Sequence, residues 1–119
     1  QNQGSLIFPL KMQFEVLKDL RFINISKDKN IAMLDADLLK FPLILRKWRQ
    51  GDSFVPFGMK KEKKLSDYFT SNKYSLLDKE NQWILCSEDK IVWLVGERID
   101  DRFRISNKTK NILKIELEK

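Results

Sequence analysis

Histidine is absent from the 119 residues of this chain, and cysteine occurs once, as Cys86. The missing imidazole removes the usual zinc ligand sets and the serine–histidine–aspartate arrangement of nucleophilic catalysis. It also deprives Cys86 of the base a thiol nucleophile needs, and the neighbours Ile84 and Leu85 place this thiol on a strand. A single cysteine excludes an internal disulfide framework and suits a reducing cytoplasm. Four glycines are present, and none forms a Walker-type or dinucleotide-binding loop. No stretch approaches the roughly 20 apolar residues of a membrane span, and no signal-peptide pattern opens the chain. The initial Gln1-Asn2-Gln3-Gly4-Ser5 reads as a linker or cloning remnant ahead of one domain over residues 6–119, so the chain is expected to be an excised fragment. Paired carboxylates do occur, Asp35 with Asp37 and Asp100 with Asp101. Each pair belongs to a polar turn and is expected to be solvated, which leaves no catalytic acid/base pair and no metal site.

What the chain has in excess is positive charge, 23 Lys and Arg against 17 Asp and Glu, for a net +6. Residues 46–64 hold seven bases and two acids, residues 98–110 five bases and two acids, and these two segments carry the whole excess. An acidic partner is therefore favoured, against the blander reading that lysines keep a small domain soluble. With 42% apolar residues the chain can bury a core, and its length suits one domain with one role.

Apolar periodicity predicts an α+β domain, a small mixed-sheet or sandwich arrangement with a few short helices. Met12, Phe14 and Val16 alternate with Lys11, Gln13 and Glu15, the period of a strand with one wet face. Residues 21–25 alternate too and predict a second strand, broken by the charged turn Lys27-Asp28-Lys29-Asn30 before Ile31-Ala32-Met33-Leu34. Asp35 to Lys40 fits one helical turn, closed by Pro42 because the residue before proline avoids the helical region. Leu43 to Trp48 resumes as a strand, with Leu43, Leu45 and Lys47 on one face and Ile44, Arg46 and Trp48 on the other. Lys63 to Asn72 is predicted helical with Leu65, Tyr68 and Phe69 as its apolar stripe. Lys60, Lys61, Lys63 and Lys64 would then crowd its first turn against the macrodipole unless an anion binds there.

Further on, Ser75 caps a helical turn through Lys79, and Trp83–Ser87 with Lys90–Val95 makes a hairpin about Glu88-Asp89. Gly96 frees a turn and Ile112 to Leu117 forms the last strand. Trp83, Ile91, Trp93 and Val95 read as core filling and not as a base-stacking platform, since tryptophans flanked by aliphatics on alternating strands pack. Asp100 and Asp101 can pair locally with Arg98, Arg102 and Arg104, which leaves contact of these arginines with RNA open.

Residues 45–69 combine bases, aromatics and turn residues in a fixed order. The Gly51-Asp52 and Pro56-Phe57-Gly58 turns bracket a short apolar segment and deliver lysines to a helix head, a layout suited to a polyanion. The residues by themselves define a basic α+β binding module. Three runs then carry a resemblance: Arg46-Lys47-Trp48-Arg49-Gln50-Gly51-Asp52-Ser53-Phe54-Val55-Pro56-Phe57-Gly58-Met59, Lys63-Lys64-Leu65-Ser66-Asp67-Tyr68-Phe69, and Ile91-Val92-Trp93-Leu94-Val95-Gly96-Glu97-Arg98-Ile99-Asp100. In order and spacing they resemble the C-terminal domain of the bacterial tRNA(Ile)-lysidine synthases, over residues from about 31 to 117.

The resemblance implies an α+β fold similar to a domain of the phenylalanyl-tRNA synthetase β chain. It implies a parent ligase that uses ATP, with magnesium, to adenylate the wobble cytidine of an isoleucine tRNA before lysine displaces AMP. That chemistry belongs to an N-terminal domain with a Ser-Gly-Gly-x-Asp-Ser loop, which this chain lacks, so no cofactor is expected here. The implied partners are tRNA(Ile), on its acceptor-stem side, and the catalytic domain of the same polypeptide. A binding role carries over to Arg46, Lys47, Arg49, Lys60, Lys63 and Lys64 and, at the margin, to Arg98; Gly51, Asp52, Pro56 and Gly58 would shape the turn. Two departures stand out: Lys61 occupies a position often glycine in the family, and Asp78-Lys79-Glu80-Asn81 lies near where an Arg-Asp-Arg segment is usual. The competing reading is a structural or dimerising module without RNA affinity, exposing an apolar patch around Phe54 and Phe57. A small independent enzyme would need an acid/base pair that the chain does not offer.

Overall fold

The computed structural model describes residues 3–6, 9–19, 21 and 23–118. Along the chain run β1 (Gln3–Leu6), β2 (Met12–Leu17), β3 (Ile31–Asp35), β4 (Ile44–Lys47), β5 (Ser53–Phe54), β6 (Lys63–Lys64), α1 (Leu65–Ser71), α2 (Leu76–Glu80), β7 (Trp83–Ser87), β8 (Lys90–Leu94), β9 (Arg98–Ile99) and β10 (Ile112–Leu117). One sheet has the order β1-β2-β10-β3, a second β4-β7-β8-β9, and β5 pairs with β6 alone. Every one of these ladders is antiparallel. The last strand is laid between two early ones, so Ile115 stands opposite Phe14 on one side and Ala32 on the other.

The second sheet is buried on both faces, which is why its strands read as nearly continuous apolar runs. Leu85, Val92 and Trp93 turn to the first sheet, where they meet Met12, Leu34, Leu113 and Ile115. Ile84, Cys86, Ile91 and Leu94 turn the other way and meet Phe54 of β5 and Leu65, Tyr68 and Phe69 of α1. The expected faces of β4 follow: Leu43 and Leu45 pack on the first core, Trp48 on the second. Trp93, Ile91 and Val95 are buried and Trp83 packs against the first core, so these side chains fill the interior. The capped helix is present as a capping box in which Ser75 and Asp78 each bond the other's backbone N–H.

Three expectations are revised. Residues 23–28 form no strand, although they alternate; Phe22 lies outside the described residues. The Ser26 hydroxyl accepts from the Asp28 amide and the Asp28 carboxylate from the Asn30 amide, so local side-chain bonds hold the backbone in a turn and compete with a ladder. The helix begins at Leu65, not Lys63, because Lys63 and Lys64 pair with Phe54 and Ser53 and the Leu65 amide bonds the Asp52 carbonyl. The lysines therefore precede the helix, whose first turn carries Asp67, a sign that suits the macrodipole. The helical turn expected within Asp35 to Lys40 is present as a 3-10 helix at Ala36–Leu38, capped by Asp35. Residues 3–5, expected as linker, are part of β1, with Gly4 opposite Phe14 and Ser5 opposite Gln13.

Candidate nucleic-acid interface

Where β4 leaves the core, its charged end is tied back into the protein. Arg46 donates both terminal nitrogens to the two Asp52 oxygens at 3.0 Å each. Asp52 Oδ2 also accepts from the Arg49 amide at 2.6 Å, and the Asp52 amide returns a bond to the Arg49 carbonyl at 3.1 Å. Gly51, at φ 95°, supplies the left-handed residue that this tight turn requires. Burial pushes the Asp52 carboxyl up, but the Arg46 and Arg49 bonds and charges outweigh it and hold the group below its ordinary value. A carboxylate depressed in the fold stabilises it fully above the unfolded pKa of roughly 3.9 and ceases to do so as pH falls through the folded value. Thermal melts down to about pH 2 are thus expected to show an acid limb that Arg46→Gln flattens. An unchanged limb in the variant would show that the pair contributes nothing.

Other expected contacts are also engaged. Lys47 Nζ donates to the Glu80 carbonyl at the end of α2 and lies 5.0 Å from the Trp83 ring centre. Lys63 Nζ donates to Ser71 Oγ at 3.0 Å, and Arg98 Nη2 to the Phe57 carbonyl at 2.6 Å. Arg49, Lys60 and Lys64, with Lys61 beside them, are exposed, and among the described residues their side chains have no hydrogen bond or ion pair. The β5–β6 pairing places Lys64 opposite Ser53, next to the Arg49–Asp52 turn, and sets Lys60 and Lys61 in the loop at the other end of the ribbon. Of these four cations Lys64 lies on the two-stranded ribbon, Arg49 in the turn that precedes it, and Lys60 and Lys61 in the loop that joins its strands.

A buried carboxylate holds that ribbon to the second sheet. Asp100 is 0% exposed. Its Oδ2 accepts from the Val55 amide at 2.8 Å and from Arg102 Nη2 at 2.9 Å; its Oδ1 accepts from the Arg102 amide at 2.8 Å and Nε at 3.0 Å. The Asp101 amide bonds the Val55 carbonyl, the Phe57 amide the Ile99 carbonyl, and the Gly58 amide Asp101 Oδ1. Pro56 is buried in this seam, bridged to Asp100, and Gly58 takes φ 89° above Arg98.

The expectation of solvated carboxylates therefore fails for Asp100, and for Asp35, which is buried and accepts from Thr109 Oγ1 at 2.9 Å. Both aspartates cap 3-10 turns, Asp35 accepting from the Asp37 amide and Asp100 from the Arg102 amide. The Asp-x-Arg spacing at Asp100 and Arg102 was the available signal, because an aspartate accepts readily from the amide two residues on. Arg102 and Arg104 are paired with Asp100 and Asp101, as the spacing suggested. Phe54 is 0% exposed and takes no part in an apolar patch, whereas Phe57 is 47% exposed. Among the described residues no cluster of acidic or thiol side chains is placed to hold a metal, and no helix is long and apolar enough to cross a membrane.

Residues 43–117 match the family model described as the TilS substrate C-terminal domain. The chain belongs to that family. A tRNA(Ile)-lysidine synthase of Parabacteroides distasonis is 54% identical over 105 residues, which are 88% of this chain and 24% of the relative. This TilS C-terminal domain spans about a quarter of the length of the curated relatives it matches. A crystal structure of a TilS C-terminal domain is similar with a TM-score of 0.75 at 20% identity, covering 97% of this chain and 89% of that one. An N-terminal fragment of the phenylalanyl-tRNA synthetase β-subunit from Pyrococcus horikoshii gives 0.63 at 22% identity, covering 73% of this chain and 27% of that one. Both likenesses concern the fold, an α+β domain of antiparallel sheets with few helices.

Proposed function

We propose that this domain is the tRNA-binding appendage of a cytoplasmic tRNA(Ile)-lysidine synthase and holds the RNA by its backbone. The observation that carries the reading is the ribbon of free cations, Arg49, Lys60, Lys61 and Lys64, on a support fixed by Asp100 and Asp52. An A-form stem displays phosphates and 2′-hydroxyls beside a shallow minor groove, so a rigid row of cations can grip it with little base readout. Lys63 and Arg98 support the same surface from its protein side. ATP, magnesium and the formation of lysidine would belong to the catalytic domain of the parent polypeptide, the second partner on this reading.

The test is fluorescence anisotropy of an isoleucine tRNA transcript with the domain across a salt series. The wild type is expected to show a log–log slope of about −3 to −6, and the triple variant K60E/K61E/K64E a slope shallower by about 2 with at least tenfold weaker binding at low salt. An unchanged affinity in a folded triple variant would sink the proposal. The 47% exposure of Phe57 and 41% of Met59 favours one other reading, an interface module that self-associates and shows no RNA affinity.

A further inference from the structure

β3 is an edge strand of the first sheet and β9 of the second, and a cleft of about 430 Å³ opens between them. Its size lies within the range of roughly 300–1,000 Å³ typical of small-ligand sites. Met33, Trp93 and Ile99 line it with Ile25 and Phe57, and the latter two leave large apolar surface in water, at 58% and 47% exposure. Phe57 is not free to fold away, because its amide bonds Ile99 and its carbonyl accepts from Arg98. The same bond pins the Arg98 guanidinium at the cleft; Lys29 is paired with Glu97 at 3.2 Å and Lys27 stands beside Asp28, so the lining keeps one net positive charge. Three and four residues beyond Phe57 stand Lys60 and Lys61. An apolar slot with an aromatic wall thus opens a few residues along the chain from exposed cations.

We infer that this cleft receives an unpaired nucleobase of the bound RNA, stacked on Phe57, with Arg98 facing its phosphate. The inference rests on the tRNA-binding reading and deepens it. Stem-binding cations cannot stack, and bases inside a stem cannot reach an apolar slot, whereas proteins that bind single strands combine a cationic track with an aromatic face. The net positive charge of the lining, together with the exposed Lys60 and Lys61 that follow Phe57 in the chain, favours a polyanion's base over an apolar protein segment.

The experiment compares a blunt-ended RNA hairpin with the same hairpin extended by a single-stranded tail containing 2-aminopurine. With the full chain, the tail is expected to tighten binding about tenfold, within what one stacked base contributes, and to quench the 2-aminopurine. Phe57→Ala should abolish both the gain and the quenching while leaving the blunt hairpin's affinity unchanged, and Phe57→Leu should keep the fold and lose the quenching. Equal affinity for the two RNAs, or a gain that survives in Phe57→Ala, overturns the inference and leaves backbone binding intact. Failure to bind either RNA overturns both. Dimerisation that Phe57→Ala abolishes and that the tail does not disturb would assign the cleft to a second copy and likewise overturn it.

Discussion

Asp100→Ala is expected to destabilise the domain by about 3–5 kcal/mol, the loss typical when one partner of a buried ion pair is removed. Both Asp100 oxygens are used, and no water reaches them to replace the missing acceptor. Without the carboxylate the Val55 and Arg102 amides are left unsatisfied and the Arg102 guanidinium faces an empty site. Arg102 is itself 37% exposed, so water recovers part of its solvation and the lower end of that range is the better expectation. Urea unfolding at neutral pH measures the change. The variant should also lose affinity for tRNA, because the amides that hold residues 55–58 to β9 lose their anchor. A loss below about 1 kcal/mol would mean that Asp100 is not the fastening of the basic ribbon, since even one unsatisfied buried donor exceeds that.

Phe69→Ala is expected to cost a comparable 3–5 kcal/mol, the usual penalty for truncating a fully buried phenylalanine. The ring is 0% exposed, meets Trp48 edge-on at 4.8 Å and stacks on Tyr74 at 4.5 Å. Such pairs add roughly 0.5–1.5 kcal/mol each beyond area burial, so the cavity removes directional contacts as well as apolar surface. Because this cluster lies on the face of the second sheet turned away from β2 and β10, hydrogen exchange should accelerate first in α1, β5 and β6. Equal acceleration across both sheets would show that the two cores open as one unit. The basic ribbon rests on this second core, so its geometry should loosen before global unfolding.

Much of the architecture was legible where one period recorded one buried face. β2 and β10 alternate because each has a face on the first core, and β4 divides Leu45 from Trp48 because two cores lie on its two sides. The β7–β8 hairpin and the capped α2 were visible in local turn and cap chemistry. Residues 23–25 misled because alternation makes a strand only where the backbone is free to join a ladder. The register of Lys63 and Lys64 misled because their ladder partners, Phe54 and Ser53, belong to β5, nine and eleven residues earlier, which follows a turn whose closure depends on Asp52.

The sequence by itself determined the family, through three blocks kept in order, and the positive charge excess of residues 46–64. It also determined the faces of the long strands, because periodicity and charge are local properties of a chain. Only the tertiary structure decided which cations remain free. Arg98 is taken by a carbonyl 41 residues before it and Lys47 by one 33 residues after it, while Arg49, Lys60, Lys61 and Lys64 meet no such partner among the described residues. A charged side chain exchanges its water for a protein acceptor only when the fold brings one within hydrogen-bonding distance, and such crossings are set by the packing of both sheets.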